Sequence, residues 1–161
     1  MLWVVLLWAQ SAVDQQVQRG QALFLDTSHG CASCHALKGR GTAVGPDLSV
    51  MGRLSPSAIA TAVRSSVTAY VQTVSLKSGE SFAGMPAGEN EKNLQFYDLS
   101  KTPPELRQLE RAAVQSTAGQ DVWKHPPSVA GYTGQQLADI ITYIRYAVTG
   151  TAKTVSPGDI E

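Results

Sequence analysis

Apolar residues near both ends of the chain recur at helical spacing, while the middle alternates in the manner of strands. Val17, Ala22, Leu23 and Phe24, with Gly20 in the same stripe, predict a helix over 14–25 in which Gly20 forms a notch beside the Phe24 ring. Ser55-Pro56-Ser57 ahead of Ala58-Ile59-Ala60-Thr61-Ala62-Val63 predicts a second, short helix, with serine at the cap and proline in the first turn. The clearest helix spans 133–148, because Leu137, Ile140, Ile141, Ile144 and Val148 recur at i, i+3, i+4, i+7 and i+11; Gly150 ends it. Between these, Val71, Thr73, Val74 and Leu76 lead through Lys77-Ser78-Gly79-Glu80 into Ser81-Phe82-Ala83-Gly84, the pattern of a hairpin with a glycine turn. Residues 94–99 predict a further strand, Pro103-Pro104-Glu105 a short helix to about Glu110, and 113–115 a returning strand. Residues 151–161 carry no apolar period and are expected to be mobile.

Length, charge and the N-terminal run narrow the class. A chain of 161 residues can bury a core without disulfide staples. Thirteen Lys+Arg balance thirteen Asp+Glu, which gives no electrostatic footprint for nucleic acid. Residues 1–12 form a short apolar run ending in small residues, with Ala9 and Ser11 as the small positions, and are expected to be a signal peptide. The run falls short of the roughly 20 apolar residues of a membrane span, so a short anchor is the alternative.

Chemistry enters with Cys31-Ala32-Ser33-Cys34-His35, a C-x-x-C-H sequence. This order of residue types is what covalent attachment of one c-type haem requires. The two thiols add to the vinyl groups, and the adjacent imidazole ligates the iron through its neutral form. Three other readings compete. A thioredoxin-like dithiol would want a strand leading into Cys31, and nothing upstream reads as one. A structural zinc site needs four ligands, whereas the chain has two cysteines and three histidines. A disulfide between Cys31 and Cys34 would close too short a loop to contribute much. Export agrees with haem, since c-type haem is attached outside the cytoplasm.

Taken together, Gly20 to Phe24, the pentapeptide, Gly45-Pro46-Asp47-Leu48, Gly52-Arg53 and the Leu137-x-x-Ile140-x-x-Tyr143-Ile144 helix resemble class I cytochrome c. The resemblance is nearest to bacterial haem-binding domains with a strand-rich insertion before the last helix. It implies a mainly α, cytochrome c-like fold around one covalently bound haem c, as a single domain over 13–150 with a small antiparallel insertion at about 70–122. It further implies that Cys31, Cys34 and His35 hold the haem, that the Pro46 carbonyl fixes the His35 imidazole, that Leu48 packs on the porphyrin, and that Arg53 pairs with a propionate.

In that family the sixth ligand is usually a methionine followed by proline, shortly before the terminal helix. This chain has Lys124-His125-Pro126-Pro127 there, which makes His125 the expected ligand and the iron bis-histidine, at a lower potential than methionine gives. Met85, followed by Pro86, is the rival; Met51, His29 and an open site complete the alternatives. Trp123 is expected to shield the distal face, and Tyr70 to donate to a propionate or to end a helix. The implied function is non-enzymatic: one-electron transfer in an extracytoplasmic, periplasmic or otherwise exported, bacterial chain. The implied partners are redox proteins such as a periplasmic dehydrogenase, with no nucleic acid and no membrane span beyond the leader. The alternative is a catalytic or gas-sensing haem protein with an open or displaceable distal site.

Overall fold

The computed structural model describes residues 11–26, 30–65, 70–120 and 122–161. The expected leader therefore lies outside the described residues except for Ser11 and Ala12. Both belong to the first helix, α1 (Ala12–Leu25), where Ser11 Oγ accepts the Asp14 amide at 3.2 Å and caps the first turn. Helix α2 spans Pro56–Arg64 behind the Ser55 cap, α3 is the single turn Pro127–Ala130, and α4 spans Gly134–Thr149. A reciprocal pair of bonds between Thr133 and Gln136 starts α4, and Gly150 at φ 73° ends it in the left-handed conformation.

The apolar stripe of α4 packs on α1. A Cβ at Gly20 would lie 1.9 Å from the Asp139 carbonyl oxygen, so the notch admits the α4 backbone itself, and Phe24 meets Tyr143 with ring centres 5.4 Å apart. Val17, Phe24, Leu37, Ile140, Tyr143 and Ile144 form one buried cluster. Ile59, Leu137, Ala138, Ile141, Val155 and Ile160 form a second. Its last two members come from residues 151–161, which the sequence leads one to expect as mobile. They are anchored by Val155 and Ile160, by Gln16 Nε2 donating to the Val155 carbonyl at 2.7 Å, and by Arg64 donating to the Ile160 carbonyl at 3.0 Å. Two isolated apolar residues in a short segment produce no period, although each fills a gap.

The mainly α expectation is overturned. Of the described residues 41% are helical and 26% lie in strands. A two-residue ladder, β1 (Ala36–Leu37) with β2 (Arg40–Gly41), follows the C-x-x-C-H segment. Strands β3 (Gln72–Leu76), β4 (Ser81–Glu89), β5 (Asn93–Asp98), β6 (Glu105–Glu110) and β7 (Val114–Gly119) then form one antiparallel sheet in the order β6-β5-β4-β3-β7. The helix expected from Pro103-Pro104-Glu105 to about Glu110 is instead strand β6. Pro103-Pro104-Glu105 is a good helix opening, but no apolar helical period follows it, and the free edge of β5 pairs with the segment from Asp98↔Glu105 to Asn93↔Glu110.

This sheet is curled. Strand β4 pairs with β3 through Ser81–Gly84 and with β5 through Gly84–Glu89, with an irregularity between Pro86 and Gly88 that bends it. Four inter-strand spacings of about 4.8 Å would set the edges of a flat sheet about 19 Å apart. The four residue steps from Glu110 to Val114 reach only about 14 Å when fully extended. The chain nevertheless passes from edge to edge through the single 3-10 turn Arg111–Ala113, so the edges must approach each other. Val74, Leu76, Phe82 and Phe96 give the sheet a core of its own. Among the described residues, no helix is long and apolar enough to cross a membrane.

Candidate metal centre

Cys31, Ala32 and Ser33 form one 3-10 turn directly after Gly30, closed by the Cys34 and His35 amides, which donate to the Cys31 carbonyl at 3.1 and 2.8 Å. The following loop is tied back onto it. The Val44 and Gly45 amides both donate to the Cys34 carbonyl, at 3.1 and 2.7 Å, and Thr42 donates to the Ala32 carbonyl at 3.0 Å. Both thiols are free, with Cys31 buried and Cys34 half-buried. Burial pushes the Cys31 thiol up to about 12 and raises Cys34 as well. Neither is the activated thiolate a redox dithiol would use. Among the described residues no group of three or more His, Cys, Asp or Glu side chains could hold a metal ion.

His35 is oriented from below. Its Nδ1 lies 2.7 Å from the Pro46 carbonyl oxygen, which can only accept, so the proton sits on Nδ1 and Nε2 keeps its lone pair. Gly45 lies flat against the ring: a Cβ there would fall 2.6 Å from Cε1 and 2.9 Å from Nδ1. His125, carried by the segment before α3, has the same arrangement, with Nδ1 3.0 Å from the Val63 carbonyl in the last turn of α2. Burial lowers the pKa of both rings; the Pro46 bond partly offsets this for His35, and for His125 the nearby His35 ring, which disfavours a second positive charge, adds to it while the Val63 bond partly offsets it. Both imidazoles are therefore held neutral with Nε2 available.

The two rings face one cleft, 6.2 Å apart between centroids and tilted by 41°. Two metal–nitrogen bonds of about 2 Å and two ring radii of about 1 Å place a pair of axial imidazoles about 6 Å apart. The gap fits one iron. Apolar side chains, among them Leu48, Met51, Ile140 and Ile144, wall the space around it, as a macrocycle requires. The residues present thus fit haem c: two free thiols and an imidazole on one wall, a second imidazole opposite, and apolar surface between.

The other expected residues are placed as follows. Pro46 supplies the carbonyl expected of it, and Leu48 lines the cleft. Arg53 does not: Gly52 seats its turn on Val148, where a Cβ would fall 2.5 Å away, and Arg53 is exposed. Met85 lines the cleft from β4, and Tyr70 lies at its mouth, 54% exposed. The Trp123 ring is 5.6 Å from that of His125. His29 lies outside the described residues. Four contributors went unforeseen. The Val63 carbonyl has no side-chain signature; Gly45 could have been found from its place before Pro46; and Leu99 and Lys101 reach the cleft only because the sheet curls toward it.

The family model described as Cytochrome c matches residues 17–102, more than half of the chain, and takes in the C-x-x-C-H segment, Pro46 and Leu48. His125 and α4 lie beyond the matched span. No curated protein matches the chain.

Proposed function

Because this chain belongs to the cytochrome c family, with covalently attached haem c as its cofactor, we propose that it is a one-electron carrier with its iron held between His35 and His125. When bound, haem c supplies a one-electron ferric–ferrous couple. Cys31 and Cys34 fix its position through thioether bonds. The Pro46 and Val63 carbonyls hold the two Nδ1 protons, so each Nε2 is directed inward before any metal arrives. The observation that carries the bis-histidine reading is the 6.2 Å separation of the rings, which is the span of one iron and two imidazoles.

With His35 and His125 both holding the iron, no coordination site would be left for a substrate, and the Pro46 and Val63 carbonyls would keep the two imidazoles in place. Histidine in place of methionine lowers the potential. We place the protein in an exported electron-transfer chain, consistent with haem attachment outside the cytoplasm, where it passes electrons with a redox partner such as a dehydrogenase. The test is ligand uptake: the reduced protein should give a low-spin spectrum that carbon monoxide leaves unchanged over minutes and should reoxidise by one electron. Rapid carbon monoxide binding would instead support the catalytic or gas-sensing alternative.

A further inference from the structure

We infer that the loop joining β5 to β6, residues 99–104, is a wall of the haem cleft and that Lys101 on it is the cationic partner of the carboxylates that haem c carries. The inference rests on the cleft being the haem site, not on the identity of the sixth ligand. Haem brings two propionate groups to a cleft whose walls are mostly apolar, and a carboxylate at such a boundary is costly without water or a cation. Among the described residues that line the cleft, Lys101 is the only lysine or arginine and Asp47 the only acid. Lys101 lines the cleft and is exposed to solvent, at the boundary where a carboxylate would need a partner.

The loop is built to hold that position. Asp98 is only 3% exposed; its Oδ1 accepts the Ser100 amide at 2.9 Å and the Ser100 hydroxyl at 2.6 Å, and its Oδ2 accepts Arg107 at 3.2 Å. Lys101 N donates to the Asp98 carbonyl at 3.4 Å, which closes the turn. Arg107 lies over the Phe82 ring at 4.3 Å and spans both oxygens of Glu80, at 2.6 and 3.1 Å. Glu80 is the acid near enough to feel the Lys101 charge, and its oxygens are already engaged by Arg107. A buried carboxylate thus fixes the turn from which Leu99, Lys101, Thr102 and Pro104 reach the cleft. Lys101 lines the cleft, and Arg53 does not.

A cation beside the haem favours the reduced state and keeps an adjacent carboxylate ionised. The test is a spectroelectrochemical titration of the haem-loaded protein from acid to alkaline pH, for wild type, Lys101→Gln, Lys101→Arg and Lys92→Gln. Lys92 is the control, in the turn at the far end of the β4–β5 hairpin. The expected result is a lower midpoint potential in Lys101→Gln, an upward shift of the pH at which the potential begins to change, recovery of both in Lys101→Arg, and no change in Lys92→Gln. Unaltered low-spin spectra separate this charge effect from a lost ligand. If Lys101→Gln loads haem poorly and Lys101→Arg loads normally, the charge is again implicated. A Lys101→Gln protein with wild-type potential and pH profile, or an equal shift from Lys92→Gln, overturns the inference. A chain that takes up no haem would fail earlier, at the family reading.

Discussion

Gly45 shows how little room surrounds the His35 ring. Its backbone lies against the His35 ring, and the methyl of Gly45→Ala would sit 2.6 Å from Cε1. The ring must then tilt and lengthen its bond to the Pro46 carbonyl, so this variant should lose about 1–3 kcal/mol in denaturant unfolding and incorporate less haem per chain. At the residue scale the lining of the cleft was largely legible, because Cys31, Cys34, His35 and His125 stand out in the sequence by side-chain type and all four line it. Val63 was not, since its contribution is a backbone carbonyl that any residue would supply. Arg53 shows the converse: a suitable side chain in a suitable motif is not among the residues that line the cleft.

At the scale of elements, α1, α4 and the C-terminal segment meet at Asp139. This carboxylate is 3% exposed, and burial by itself would raise its pKa. Hydrogen bonds from Arg19 at 2.8 Å, Gln135 at 2.7 Å and Gln16 at 3.0 Å outweigh burial and bring it below the usual carboxylate range. The folded value is thus lower than the unfolded value of about 3.9, and the linked stability is present above that pH and lost as the pH falls through the folded value. Acid unfolding followed by circular dichroism should begin below about pH 4, and Asp139→Asn should flatten that dependence while costing about 1–3 kcal/mol at neutral pH. The helices themselves were readable from periodicity because each buries one stripe. Strand β6 was not, because its alternation is weak: Leu106 is 54% exposed, and the segment is held by pairing with β5 and by Arg107 reaching Glu80 and Asp98. Pairing across the chain overrode a local helix signal.

Across the whole molecule, the cleft is a joint product of helices and sheet. The C-x-x-C-H turn supplies one face, the segment before α3 supplies His125, α4 supplies the apolar floor, and the curled sheet brings Met85, Leu99 and Lys101 to the same space. The C-terminal segment closes the second core from outside. Removing residues 151–161 would uncover Ile59 and Ile141 and forfeit the burial of Val155 and Ile160. Each buried side chain of this size contributes about 1.5–3 kcal/mol, so the truncated protein should unfold at a clearly lower temperature than full-length protein in a calorimetric scan. A strand-rich middle was readable in the sequence, but its extent as a five-stranded sheet and its contribution to the cleft depend on the edge-to-edge return through Arg111–Ala113.

Axial ligation tests the central claim most directly: absorption and low-temperature electron paramagnetic resonance spectra of the ferric wild type beside His125→Met. Ligation by His35 and His125 requires a low-spin wild type without the far-red sulfur-to-iron band, and the appearance of that band with a raised potential in the variant. A wild type that already shows the band, unaltered by His125→Met, would put Met85 on the iron and contradict the bis-histidine centre; a high-spin wild type would contradict a closed site altogether.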